Sequence, residues 1–102
     1  MAYDSKQLQQ RAKITARQMD HWHRQGWLVT FERLPEEGSG RPMEWPDRTM
    51  RKAILMGHLT RAGFVPARAH QIAEHNLKRT VTSYPFSVRI GDHLAITIYA
   101  EG

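Results

Sequence analysis

Residues 14–28, ITARQMDHWHRQGWL, decide how the rest of the chain is read. Thr15 has the side chain of an N-cap, and Met19 and Trp22 make an apolar stripe at i,i+3. Arg17, His21 and Arg24 project on another side, and Gly26 ends the segment as a C-terminal glycine does. The pattern predicts a short amphipathic helix with one side packed and the other basic.

On its N-terminal side, residues 5–12 (SKQLQQRA) are good helix formers after a Ser cap at Ser5, with Leu8 and Ala12 as core candidates. Only Lys13 and Ile14 separate the two segments. Helices joined this closely meet at a steep angle, as in a helix-turn-helix, with Ile14 pinned between them.

On its C-terminal side, residues 28–31 (LVTF) turn β-branched and aromatic, and a second short apolar run surrounds Met43 and Trp45. The intervening ERLPEEGSGRP contains Gly38-Ser39-Gly40, and Pro42 suits only an edge or a bulge. These features predict a β-ribbon with a glycine-rich tip, a wing. Pro46-Asp47 starts a helix that runs to Ala62 before Gly63, with apolar stripes Met50/Ala53/Ile54/Gly57 and Leu55/Leu59/Ala62. Val65-Pro66 opens a last helix over residues 67–75, buried through Ala69, Ile72 and Ala73, with Asn76 as C-cap.

The final segment alternates with period two in YPFSVRI and HLAITIY. Phe86, Val88 and Ile90 share one face of a first strand and Leu94, Ile96 and Ile98 one face of a second. Gly91-Asp92 predicts a two-residue type II′ turn. A lone hairpin is marginal in water, so this apolar face must pack on the helices, join the wing sheet, or meet a second chain as a dimer surface. The fold expected is α+β: a winged helix-turn-helix of four short helices and a β wing over residues 1–79, followed by a C-terminal hairpin over residues 80–102.

Composition bounds the function. Fifteen Lys and Arg against ten Asp and Glu leave a formal charge of +5, which suits a polyanionic partner. The charge is uneven, with nets of +1, +5 and −1 over residues 1–45, 46–79 and 80–102. The absence of cysteine excludes disulfides, thiolate metal sites and Cys nucleophiles. The six histidines do not pair at i,i+3 or i,i+4, and no acidic cluster stands beside them, so neither a metal site nor a cofactor is expected. Asp20, Asp47 and Asp92 are scattered without a nucleophile or orienting group, so a binding protein is expected rather than an enzyme. No apolar run approaches a membrane span, and MAYDSKQLQQ is no signal peptide; the expected location is the cytoplasm, at the nucleoid.

The order helix, turn, helix ending in Trp-x-x-x-Gly-x-Leu, wing, Gly-Arg-Pro-x-x-Trp, then two helices split by Ala-Gly resembles the MerR-like winged helix-turn-helix group over roughly residues 5–75. Trp22 resembles the aromatic near the end of that family's recognition helix, Gly26 and Leu28 its closing residues, and Arg41 the arginine after its wing glycines. Trp45 and Asp47 are similar to the start of its third helix, and Leu59-Thr60-Arg61-Ala62-Gly63-Phe64 to its Leu-x-x-x-Gly-Leu turn. Lys13 stands where the family's turn usually has glycine, and Gln9 where a small apolar residue is common. Regulators of the group continue into a dimerising helix and an effector domain, whereas here a hairpin follows. The resemblance is therefore to small phage, plasmid and excisionase-like members.

A helix that reads double-stranded DNA needs basic and amide groups near its exposed start. Arg17 forking to guanine and Gln18 pairing with adenine meet that need, with His21 and Arg24 better placed for phosphates and Lys13 and Thr15 at the helix entry. Arg33, Ser39 and Arg41 of the wing are candidates for a minor groove or flanking phosphates. Trp22, Trp27 and Trp45 fit core packing better than base stacking. The sequence thus predicts a repressor-like regulator that binds as a homodimer or as a cooperative array on DNA. An excisionase-type factor that bends DNA for a recombinase is an alternative. A protein-interaction module acting through the hairpin is a second.

Overall fold

The computed structural model describes residues 2–31, 43–77 and 84–99, and among them holds four helices and two antiparallel two-stranded sheets. In chain order these are β1 (Ala2–Tyr3), α1 (Ser5–Ala12), α2 (Ala16–Arg24), β2 (Trp45–Pro46), α3 (Asp47–Arg61), α4 (Pro66–Asn76), β3 (Phe86–Arg89) and β4 (Ala95–Ile98).

The helix ends follow from local chemistry. α1 is capped by Asp4 rather than Ser5: Asp4 Oδ1 accepts from the Gln7 N–H at 2.8 Å, and Gln7 Oε1 accepts from the Asp4 N–H at 2.9 Å. α2 begins with the same reciprocal box between Thr15 and Gln18. It ends in a Schellman arrangement, with Gly26 at φ +80° and the Trp27 N–H bonded to the Trp22 carbonyl at 3.0 Å. α3 closes in the same way at Gly63, φ +108°, where the Phe64 N–H reaches the Leu59 carbonyl. α4 starts at Pro66 and runs one residue past the expected His75. Its cap is Leu77, and Asn76 is its last helical residue, with Nδ2 donating to the Ile72 carbonyl at 2.7 Å.

α3 is the centre of the core. Met50, Ala53, Leu55, Met56 and Leu59 are buried on it, Ile54 is half-buried and Ala62 is exposed. α1 packs on one side of α3 and α4 on another, which is why two apolar stripes are needed. Trp22 and Trp45 are fully buried, and each removes some 150–250 Å² from water, roughly 4–6 kcal/mol of apolar driving force. Trp45 Nε1 donates to Ser5 Oγ at 3.0 Å, so its one polar atom stays satisfied.

Two expectations are corrected. Residues 28–31 form no strand, and Trp45-Pro46 pairs with Ala2-Tyr3 instead, with Tyr3 opposite Trp45. The Tyr3 hydroxyl donates to Asp47 and the Trp45 ring sits beside the start of α1, so the N-terminus is drawn across the chain to this strand. Between the described flanks of the expected wing the Phe31 N–H bonds the Glu44 carbonyl at 3.1 Å. The glycine-rich tip, with Arg33, Ser39 and Arg41, lies outside the described residues.

The second correction concerns the hairpin turn. A two-residue turn at Gly91-Asp92 would pair Ile90 with His93 and set Ser87 opposite Ile96, scattering the apolar residues over both faces. The loop instead spans Gly91, Asp92 and His93, with the Ile90 N–H bonded to the Leu94 carbonyl at 2.8 Å. That extra residue shifts the register by one, so Phe86 faces Ile98, Val88 faces Ile96, and Ser87 meets Thr97 on the other face. Val88 is buried against the helices; Phe86, Ile90, Ile96 and Ile98 are partly buried on the same core, and Leu94 is exposed. Asn76 docks the hairpin. Its Nδ2 donates to the Arg89 carbonyl at 2.9 Å and its Oδ1 accepts from the Arg89 N–H at 3.0 Å, as a neighbouring strand would.

Candidate nucleic-acid interface

α2 is nine residues long, so its two faces are easily assigned. Trp22 is buried, and Gln18, Met19 and His23 are half-buried beside it. His23 turns inward, with Nδ1 at 2.8 Å from the Leu28 carbonyl and its ring edge-on to Trp45 at 5.3 Å. Arg17, Asp20, His21 and Arg24 are all exposed. They fall within about one third of the helix circumference, a direct consequence of the 100° step.

That face borders an open groove of about 520 Å³, walled by α2 from Thr15 to Arg24 and by Pro66 at the start of α4. Its charge is less positive than the residue count implies. Arg24 is paired with Asp20 one turn earlier, which leaves Arg17 as the cation on this face without a described salt bridge. Gln18 is partly engaged as well. Its Oε1 accepts from the Thr15 N–H at 2.9 Å, so one of that oxygen's two lone pairs is used by the cap before any fork to adenine, which needs donor and acceptor together. Thr15 is committed to the same box through its hydroxyl, which accepts from the Gln18 N–H at 3.0 Å.

Lys13 sits at the turn with φ 55°, the left-handed conformation that glycine holds more cheaply. α3 meets this turn directly. Arg61 Nη1 donates to the Ala12 carbonyl at 3.1 Å and to the Lys13 carbonyl at 2.9 Å. Gly57 lies beneath, so close that a Cβ there would come within 2.4 Å of the Ala12 carbonyl oxygen. Neither contact is recognisable from the sequence, where Gly57 reads as one member of an apolar stripe and Arg61 as part of a helix ending. Their spacing of i,i+4 is the one available signal.

A second concavity, of about 350 Å³, lies between the segment after α2 and the α3–α4 pair, with Trp27, Val29, Arg48, Lys52 and Glu74 on its walls. Lys52 is buried and is bonded through Nζ to Glu74 Oε1, while Arg48 stands 3.8 Å from the other carboxylate oxygen. Burial pushes the Lys52 pKa down despite its acidic partner, and the Lys52 bond holds Glu74 below the usual carboxylate value. His70 is likewise pushed down, first by burial and then by the Lys52 charge. Its ring stacks on Trp27 at 5.3 Å, and His21 meets the same indole edge-on at 6.1 Å. Trp27 therefore links α2 to α4 by ring contacts on both sides.

Among the described residues no group of three or more His, Cys, Asp or Glu side chains is arranged to hold a metal ion, and no helix is long and apolar enough to cross a membrane. Comparison with protein-family models, with curated proteins and with solved structures found no match to the chain.

Proposed function

We propose that this chain is a winged helix-turn-helix protein of MerR-like type that binds double-stranded DNA sequence-specifically, as a repressor-like transcription regulator. The observation that carries the reading is the division of α2. Its Trp22 side is sealed into the core while Arg17, His21 and Arg24 stand exposed on a helix fixed at both ends by hydrogen-bonded caps. In this role α2 enters the major groove, Arg17 forks to a guanine, and Arg24, Lys13 and the wing arginines meet phosphates. Gln18, with its carbonyl held by the cap, offers a donor to a base acceptor such as guanine O6 or thymine O4.

The test is binding of the full chain to duplex DNA by fluorescence anisotropy at 50 and 200 mM salt, followed by selection from a random duplex library. A duplex reader loses affinity with a log–log slope of about −0.9 per phosphate contacted and enriches a defined sequence. A hairpin that adds to another protein's sheet edge shows neither property. Absence of duplex binding at low salt overturns the proposal.

A further inference from the structure

Carbonyls at the end of a helix lack intrahelical partners, and at the end of α1 two of them converge on one side chain from a distant helix. Arg61, on the last turn of α3, spans a separation of 48 and 49 residues to reach the Lys13 and Ala12 carbonyls. Its other terminal nitrogen, Nη2, stands 3.4 Å from His58 Nδ1. A guanidinium only donates, so Nδ1 is the acceptor and the ring hydrogen lies on Nε2, which stands 2.8 Å from the Tyr84 hydroxyl. Tyr84 stands just before β3 and its ring packs on His58 and Phe86. A continuous run of hydrogen bonds thus connects the root of the hairpin to the turn that aims α2.

We propose that Arg61 is the positioning residue of the α2 face. Its Nη1 clamps the Ala12 and Lys13 carbonyls over Gly57 and so sets the direction in which α2 leaves α1, while His58, through Nη2, and Tyr84 behind it orient the guanidinium plane. The role rests on the duplex-reading function proposed for α2. One feature of the site requires a fork rather than a point charge: while Nη1 serves both carbonyls, which Gly57 allows to come close, Nη2 of the same plane meets His58 Nδ1. A lysine at 61 keeps the charge and loses this geometry.

The experiment uses the full chain and its Arg61→Ala, Arg61→Lys and Tyr84→Phe variants. Three quantities are read: amide hydrogen exchange, affinity for a duplex selected by the unsubstituted chain from a random library, and affinity for an unrelated duplex of equal length. In Arg61→Ala, exchange at residues 14–19 accelerates about tenfold relative to the amides of α4. Affinity for the selected duplex falls roughly tenfold, that for the unrelated duplex changes less than about twofold, and the salt slope is unchanged. Arg61→Lys does not restore these values, and Tyr84→Phe shifts them the same way by a smaller factor. Should Arg61→Ala fail to fold, the other two variants decide the question by the same readouts. An equal loss on both duplexes, a salt slope smaller by about one, and rescue by lysine would make Arg61 a direct phosphate contact and overturn the positioning role. Unaltered exchange at residues 14–19 overturns it as well, whatever happens on DNA. A parent chain that selects no duplex overturns the function proposed above, and is told apart because it fails before any variant is compared.

Discussion

Gly57→Ala measures how tightly α1 is seated on α3. An ideal Cβ at position 57 lies 2.4 Å from the Ala12 carbonyl oxygen, 3.1 Å from Arg61 Nη1 and 3.4 Å from Ile14 Cγ2. The nearest of these is backbone and cannot rotate aside. Moving it from 2.4 Å to an ordinary 3.4 Å contact shifts the end of α1 by about 1 Å. Overpacking of this kind costs about 1–3 kcal/mol. The same shift stretches the two bonds from Arg61, each of a class worth about 1.5–3 kcal/mol, so part of that is lost too. Replacing an interior helical glycine by alanine returns about 1 kcal/mol of propensity. The net expectation is destabilisation by about 2 kcal/mol, a fall in Tm of roughly 8–15 °C for a domain of this size. Thermal and urea denaturation followed by far-UV circular dichroism reads it directly. Gly91→Ala is the control, since nothing lies within 4 Å of its added carbon, and it should stay within about 0.5 kcal/mol of the parent. A Gly57→Ala chain as stable as the parent would refute the close approach of α1 to α3.

Further outcomes follow from the surface and from the hairpin. Arg17→Ala should weaken a selected duplex by about 1–3 kcal/mol more than an unrelated one, checked by competition binding. Asp20→Asn should raise affinity for both duplexes and steepen the salt slope by about one, because it frees Arg24 from its intrahelical partner; an unchanged slope would show that Arg24 does not meet phosphate. Asn76→Ala leaves the Arg89 N–H and carbonyl without their partner and should cost about 1–3 kcal/mol, with exchange at β3 rising before that of α3. Lys52, His70 and Glu74 are all depressed, and below neutrality the sign is set by the last two. His70 and Glu74 both titrate lower in the folded chain than their ordinary values, so the folded state binds fewer protons than the unfolded one. The contribution of these two groups is full above about pH 6.5 and declines as pH falls through the His70 range and then the Glu74 range. Urea midpoints at pH 7.5, 6 and 4.5 measure the decline, and His70→Gln should remove its upper part.

Much of the helical frame was legible in the residues. Thr15, Gly26 and Gly63 mark helix ends by chemistry confined to a few neighbouring atoms, and the i,i+3 stripe of Met19 and Trp22 points to the core because the helical step is constant. The candidate reading face follows from the same periodicity. Its real electrostatics do not, since the pairing of Arg24 with Asp20 and the use of the Gln18 carbonyl in the cap are choices among several local partners. The hairpin was visible by its alternation, yet its register was not. One residue more in the loop aligns the apolar face, and that gain is felt only when the face packs on α4.

The sequence by itself therefore determined the four helices, the inward side of α2 and the presence of a hairpin, because each rests on interactions a few residues apart. Only the tertiary structure decided that Trp45-Pro46 pairs with the N-terminus, that Asn76 serves as a strand's partner, and that Gly57 and Arg61 hold the turn before α2. These contacts join residues 13 to 49 positions apart. Which partners meet over such distances depends on how all the apolar faces close at once, and no local pattern encodes it.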